Sequence, residues 1–392
     1  FVTAATTLLL AATTHTVDVV LAILLIVGGV IGTQIGTRMG QLLRARHVAL
    51  DRPVVIKVLH ERHRARPDFA GRLRDEARLL SALSGRRTPV VYDVGELADG
   101  RPYFVMERLF GADLKSELAR WGIGHRLYDP LDAASLAAAI TPRTKLVWLE
   151  APGSVTMEFP DLAGLVAVAR ERGVTTALDD TWGAGIAIDG FALGIDIVMQ
   201  ALTKFASGGG DVLMGAVTTR DDALHERLKL AHMHLGLGVA GNDAELVLRS
   251  LPTLALRYHA QDAAGRELAA WMATRPEVHR VLHPALEGSP GHEHWRTQAK
   301  AAAGLFSVLF DERYTAVQVD RFVDALRLFR IGYSWAGPVS LVVPYPLPAM
   351  REAATLQRHG LRGHLVRFSI GLEGVAALRE DLAQALAAAF AA

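Results

Sequence analysis

Val174–Gly215 reads VTTALDDTWGAGIAIDGFALGIDIVMQALTKFASGGGDVLMG, and its pattern decides the architecture. Two apolar, β-rich runs, VTTALDD (Val174–Asp180) and IDIVMQ (Ile195–Gln200), each open onto a glycine-bearing loop. Upstream, TKLVWLE (Thr144–Glu150) is a third such run, and the intervening LAGLVAVARERG (Leu162–Gly173) has helical periodicity with a glycine at its end. Strand, helix and strand at this spacing predict a parallel or mixed sheet with helices on its faces. DVLMGAVTT (Asp211–Thr219) extends the sheet, and helical patterns follow over Asp221–Leu235 and Asp243–Met272. The last third carries strand patterns at HRVLHP (His279–Pro284), GLFSVLF (Gly304–Phe310), VSLVV (Val339–Val343) and LVRFSI (Leu365–Ile370), closed by an alanine-rich helix from Gly374. That is the pattern of a smaller α+β domain.

A chain of 392 residues has room for two or three cores. With 51% hydrophobic residues and a formal net charge of +1, neither disorder nor a chain-wide nucleic-acid footprint is expected. Zero cysteines exclude disulfides, thiolate metal sites and a cysteine nucleophile, which suits a cytoplasmic enzyme. Charge is uneven, however: Arg38–Arg78 holds eleven Lys/Arg against five Asp/Glu, just after the uncharged run VVLAILLIVGGVIG (Val19–Gly32). That run, extended through residues 19–37, fits either a membrane span or a buried helix.

Asp179 precedes Lys204 by twenty-five residues, each at the end of a predicted strand. A lysine able to form a Schiff base and an aspartate able to hold a pyridinium nitrogen are the two groups that pyridoxal phosphate chemistry requires most. DDTWG (Asp179–Gly183), TKFASGGGD (Thr203–Asp211), YSW (Tyr333–Trp335) and GHLVRFSIGLE (Gly363–Glu373) together resemble the Cys/Met-metabolism family of such enzymes over residues 126–392, closest to its cystathionine β-lyase branch. The resemblance implies a type I aminotransferase-like α/β fold, incomplete on its N-terminal side, with pyridoxal 5'-phosphate as cofactor. It implies a small sulfur-containing amino-acid substrate, with cystathionine split to homocysteine, pyruvate and ammonia, and a homo-oligomer.

By the same resemblance Lys204 carries the cofactor and moves protons, Asp179 holds the ring nitrogen, and Thr203 contributes a hydroxyl to the phosphate. Arg367 pairs with the substrate carboxylate, while Ser334 and Trp335 line the substrate side. Two departures stand out. Asp180 replaces the asparagine usual in the family, and Gly209 and Gly210 replace a histidine and a serine. His283, His292 and His294 lack carboxylate-backed ligand spacing and are expected as solvated loop residues, with no metal.

The N-terminal third has other likenesses. Residues 1–46 resemble part of a sulfite-exporter-type permease, and 47–120 the small lobe of a bacterial Ser/Thr protein kinase, with Lys57, Glu76 and the hinge-like Met106-Glu107. ELADGRPYFVME (Glu96–Glu107) reads as a hairpin turning at Asp99-Gly100. Neither a glycine-rich phosphate loop nor the catalytic and magnesium aspartates of a kinase accompany it. The expected organisation is therefore 1–46, 47–120, a partial cofactor domain over 121–260 and a small domain over 261–392. Two further readings stand beside the lyase: a joined chain without coherent catalysis, and a kinase-like binding module.

Overall fold

The computed structural model describes residues 40–47, 52–59, several positions between 70 and 78, 91–107, 118–119, 121–350 and 353–390. They fall into two compact units, residues 1–125 and 126–392. In the first, strands β1 (Gly40–His47), β2 (Arg52–Leu59), β3 (Val91–Glu96) and β4 (Pro102–Glu107) form an antiparallel sheet of order β1-β2-β4-β3. The β3–β4 hairpin turns where expected: Gly100 has φ +81°, a conformation that glycine adopts without a Cβ penalty, and Leu97 N donates to Arg101 O at 2.9 Å. β1 runs to His47 and pairs with β2 along its whole length, so it crosses the boundary expected after residue 46. The apolar run 19–37, Glu76 and the Lys57 side chain lie outside the described residues. No described helix is long and apolar enough to cross a membrane.

The second unit begins with α1 (Ala133–Ala139), then β5 (Leu146–Glu150), α2 (Leu162–Glu171), β6 (Thr175–Asp179), β7 (Ile197–Ala201) and β8 (Gly215–Thr219). β5, β6 and β7 are parallel and β8 closes the sheet antiparallel to β7. Asp161 caps α2 by accepting from Gly164 N, and Gly173 (φ +64°) lets the chain turn into β6. α2 buries Leu162, Leu165, Val166 and Ala169 against the strands, so its spacing of apolar positions translates directly into a packed face.

Three helices follow, α3 (Asp222–His234), α4 (Gly241–Ser250) and α5 (Leu254–Met272). The continuous helix expected over residues 243–272 is broken by a 3-10 turn at Leu251–Thr253, where Pro252 has no N–H to give. A second sheet, order β11-β12-β13-β10-β9, is built from β9 (Val278–Leu282), β10 (Leu305–Phe310), β11 (Arg330–Ile331), β12 (Leu341–Tyr345) and β13 (His364–Ser369). With it come α6 (His292–Gln298), α7 (Ala316–Ala325), the short α8 (Leu347–Met350) and α9 (Ala353–Arg358), and α10 (Val375–Phe390).

β10 is buried at all six positions, as a strand covered on both faces must be. One face of this sheet joins Phe306, Phe310, Phe322, Phe329 and Phe368 with Leu382 and Phe390 in an aromatic core. Leu305, Leu309 and Leu365 belong to a second core, with Leu149, Leu162, Leu178 and Tyr258. Each such side chain contributes about 1.5–3 kcal/mol by burial.

Candidate active site

Three strand ends and one loop bring the site together. β6 ends at Asp179, directly opposite Glu150 at the end of β5. Beyond it, Thr181 N donates to Asp179 Oδ1 at 3.0 Å, and Thr181 Oγ1 accepts from Ala201 N at 2.8 Å. That second bond ties the end of β6 to the end of β7, and three residues later the chain places Lys204.

Lys204 is half-buried. Its Nζ donates to Ser334 Oγ at 3.0 Å and lies 5.1 Å from the Trp335 ring centroid. Burial holds its amine below the ordinary lysine range, the Arg367 guanidinium lowers it further, and Asp179 pulls in the opposite sense. Trp335 is positioned from both sides. Phe205 packs edge-on to it at 5.9 Å, and Ala336 takes a left-handed backbone (φ +64°) with its N–H held by Ser369 Oγ at 3.1 Å. Phe205 in turn lies 4.7 Å from Tyr258, whose hydroxyl donates to Trp182 O at 3.1 Å.

Arg367 stands on β13 between Ser307 and Val343 of the flanking strands and is only 3% exposed. Nη1 donates to Ser154 O at 3.0 Å and Nη2 to Tyr333 O at 2.6 Å, and the guanidinium lies 5.2 Å from the Tyr345 ring centroid. Burial lowers its pKa. This buried guanidinium is held by carbonyls and a ring, with no carboxylate pairing to it among the described residues, so its charge could take an anion.

Thr203 is engaged with the Met214 backbone: its Oγ1 accepts from Met214 N at 3.2 Å and faces Met214 O at 3.4 Å. Gly208 and Gly210 both have positive φ in the loop that follows Lys204. Thus Lys204 touches Ser334 and Trp335 and lies within electrostatic reach of Arg367 and Asp179, while the Thr203 hydroxyl faces the Met214 backbone.

Sequence reading missed Glu150 and Tyr345. Strand register carries Glu150 to Asp179; Glu150 keeps solvent contact, yet surrounding protein, then Asp179 and Glu158, push its carboxyl up to about 7. Period-two spacing on β12 puts Tyr345 on the face of Val343, the neighbour of Arg367. The structure corrects one further expectation: His283 is not solvated but fully buried. Its Nδ1 accepts from Ala285 N at 3.2 Å, and burial pushes its imidazole down to about 3. No group of side chains able to hold a metal ion occurs among the described residues.

A depressed lysine and a strand-end aspartate at the first sheet, with a buried, carbonyl-held arginine on the second, suit the α/β enzymes that handle amino acids through pyridoxal phosphate. Similarity narrows the class. Residues 96–387 match the model of the Cys/Met metabolism PLP-dependent enzymes, and the chain belongs to that family. It is 34% identical over 326 residues to a putative cystathionine beta-lyase of Rhizobium johnstonii, covering 81% of each chain. With the cystathionine beta-lyase of Salmonella typhimurium the identity is 34% over 279 residues, 70% of this chain and 69% of the relative. A solved cystathionine gamma synthase from Xanthomonas oryzae pv. oryzae superposes with a TM-score of 0.65 at 30% identity, over 70% of this chain and 72% of that one.

The family match begins at residue 96, inside the stretch expected to be kinase-like, and extends past residue 120. A chain joined there without coherent catalysis is therefore not favoured, nor is a kinase-like module. The donor set fits the chemistry of the family's cofactor: an amine of lowered basicity, Lys204, that would hold it, a carboxylate, Asp179, that would meet its ring nitrogen, and a buried guanidinium, Arg367, that would take an amino acid's carboxylate.

Proposed function

We propose that the chain is a carbon–sulfur β-lyase that cleaves cystathionine, with water, to homocysteine, pyruvate and ammonia. The observation that carries this reading is the Lys204 amine, held 3.0 Å from Ser334 Oγ within electrostatic reach of both Asp179 and Arg367. When bound, pyridoxal phosphate supplies an electron sink beside the substrate's Cα. Arg367 clamps the substrate carboxylate through a planar, two-pronged contact, which fixes the amino acid's orientation. Lys204 holds the cofactor and then, with a lowered pKa that favours its free-base form, takes the Cα proton and delivers a proton to the departing sulfur.

With the cofactor bound, Asp179 would meet its ring nitrogen and the Thr203 hydroxyl would be a donor for its phosphate. Ser334 steadies the Lys204 amine between proton transfers, and Trp335 shields it from water. A homo-oligomer working in the cytoplasm belongs to the same reading, supported by the family resemblance and the absence of cysteine.

The test uses that absence. With zero cysteines the chain adds no background to a thiol assay. The expected result is cofactor trapped on Lys204 by borohydride, located by peptide mass, and thiol release from cystathionine that Lys204→Ala reduces roughly 10³-fold or more. Trapping on another lysine, or no thiol from any β-sulfur amino acid, would overturn the proposal.

A further inference from the structure

The site as described leaves one buried acid without a task. Asp180 follows Asp179 directly, and along an extended strand successive side chains face opposite ways. Asp180 is only 2% exposed. Its Oδ2 accepts from Gly185 N at 2.9 Å and from Gln200 Nε2 at 3.2 Å, while Oδ1 is buried with no hydrogen-bond partner among the described residues. A Cβ on Gly183 would run into that oxygen, so the glycine clears the space the carboxyl occupies. The backbone is held as well: Asp180 N donates to Met199 O, and Asp180 O accepts from Ala184 N, both at 2.8 Å.

This is a poor place for a carboxylate anion. Its two donors are neutral, and the charged groups acting on it are Asp179, its neighbour at the end of β6, and Asp189 in the loop that follows. From α5, the phenol of Tyr258 faces it. Burial above all, and then the two aspartates, push the Asp180 carboxyl up to about 7, against the pull of its two hydrogen bonds. As a neutral acid it has the outline and polarity of the asparagine that the family pattern places here.

We infer that Asp180 is a positioning residue that works in its protonated form, tying the end of β6 to the Gly185 turn and to Gln200 of β7 so that Asp179 meets the cofactor at a fixed angle. The inference rests on the cofactor site proposed above. Losing the proton strands a charge in a spot without a cation; the 180–185 turn must then open to water, and the adjacent Asp179 shifts with it. Charge alone would act the other way, since a second anion beside Asp179 favours a protonated ring nitrogen. The sign of the pH effect on affinity therefore separates positioning from charge.

Pyridoxal phosphate affinity is measured on the full chain between about pH 6 and pH 9, by absorbance titration with borohydride trapping on Lys204. Wild type, Asp180→Asn and Asp180→Ala are compared. Wild type is expected to weaken about tenfold as pH rises through the Asp180 titration. Asp180→Asn should match wild type at the acid end and lack that step, and Asp180→Ala should be weak throughout. Without cofactor, the infrared difference between wild type and Asp180→Asn should show a protonated-carboxyl stretch that fades over the same range.

Identical pH curves for wild type and Asp180→Asn, an affinity that rises with pH, or no protonated-carboxyl band would each overturn the role of Asp180 while leaving the lyase reading intact. A wild type that takes up no cofactor on Lys204 at any pH sinks the site reading itself, and the role toward Asp179 with it.

Discussion

Helices α3 and α5 lie close in the chain and end in opposite surroundings. α5 buries Tyr258, Gln261, Asp262, Gly265, Leu268, Ala269 and Met272 between the two sheets' cores. α3 buries no residue at all, although Leu230 and Met233, with Leu235, Leu237 and Val239 just beyond it, are as apolar as anything in α5. The difference teaches that apolar side chains fix only what could be buried; whatever stands opposite decides what is. The active site straddles this divide. Its Arg367 side rests on a strand covered on both faces, whereas the loop after Lys204 packs through Ala206 and Val212 onto the small Val247 cluster of α4, next to the uncovered helix.

Three experiments sharpen or break that contrast. The largest effect belongs to the closed side at the site: Arg367→Lys removes the second prong of the carboxylate clamp in a place that cannot adapt, and KM should rise about 10- to 100-fold while the cofactor still attaches to Lys204. Steady-state kinetics with parallel trapping checks this, and an unchanged KM would mean that the substrate carboxylate is held elsewhere. Next comes the scaffold of the same side. Asp381 on α10 is 5% exposed and accepts from Arg327 N at 2.9 Å and Leu328 N at 2.7 Å. Asp381→Ala strands those N–H groups and should cost about 1–3 kcal/mol in urea unfolding. The smallest effect is on the open side, where Met233→Ser with Leu237→Ser should change stability by no more than about 0.5 kcal/mol yet reduce self-association in light scattering. A large loss of stability there would mean that α3 is covered in solution.

The same divide explains how much could be read from the residues alone. The parallel sheet was legible because Gly173, the apolar runs and the intervening helical period are local signals, and β5, β6 and β7 came out within a residue or two of their patterns, whereas β8 starts only at Gly215, later than the run from Asp211 suggested. Lys204, Asp179 and Arg367 were legible as motif residues, and the fold brings Lys204 within electrostatic reach of the other two. Long-range facts were not. Nothing near His283 announces that it is fully buried, since its surroundings come from distant segments. Glu150 gains its interest only from the register that sets it against Asp179. The adjacency of Asp179 and Asp180 said nothing of their different surroundings, which the structure supplies: Asp180 is buried against the Gly185 turn and Gln200, whereas Asp179 accepts from Thr181 N.

Arg367 is bonded at once to Ser154 O, in the loop after the first sheet's β5, and to Tyr333 O, in the second sheet's approach to Trp335. It therefore acts as a rivet through two layers rather than an arm reaching from one. An arm could swing to meet substrates of many lengths, whereas a rivet, on the function proposed above, would make the gap between Lys204 and the guanidinium a fixed ruler. Amino acids would then be sorted at their carboxylate end by length, and whatever variety the enzyme tolerates should lie beyond the sulfur, where no such gauge is set.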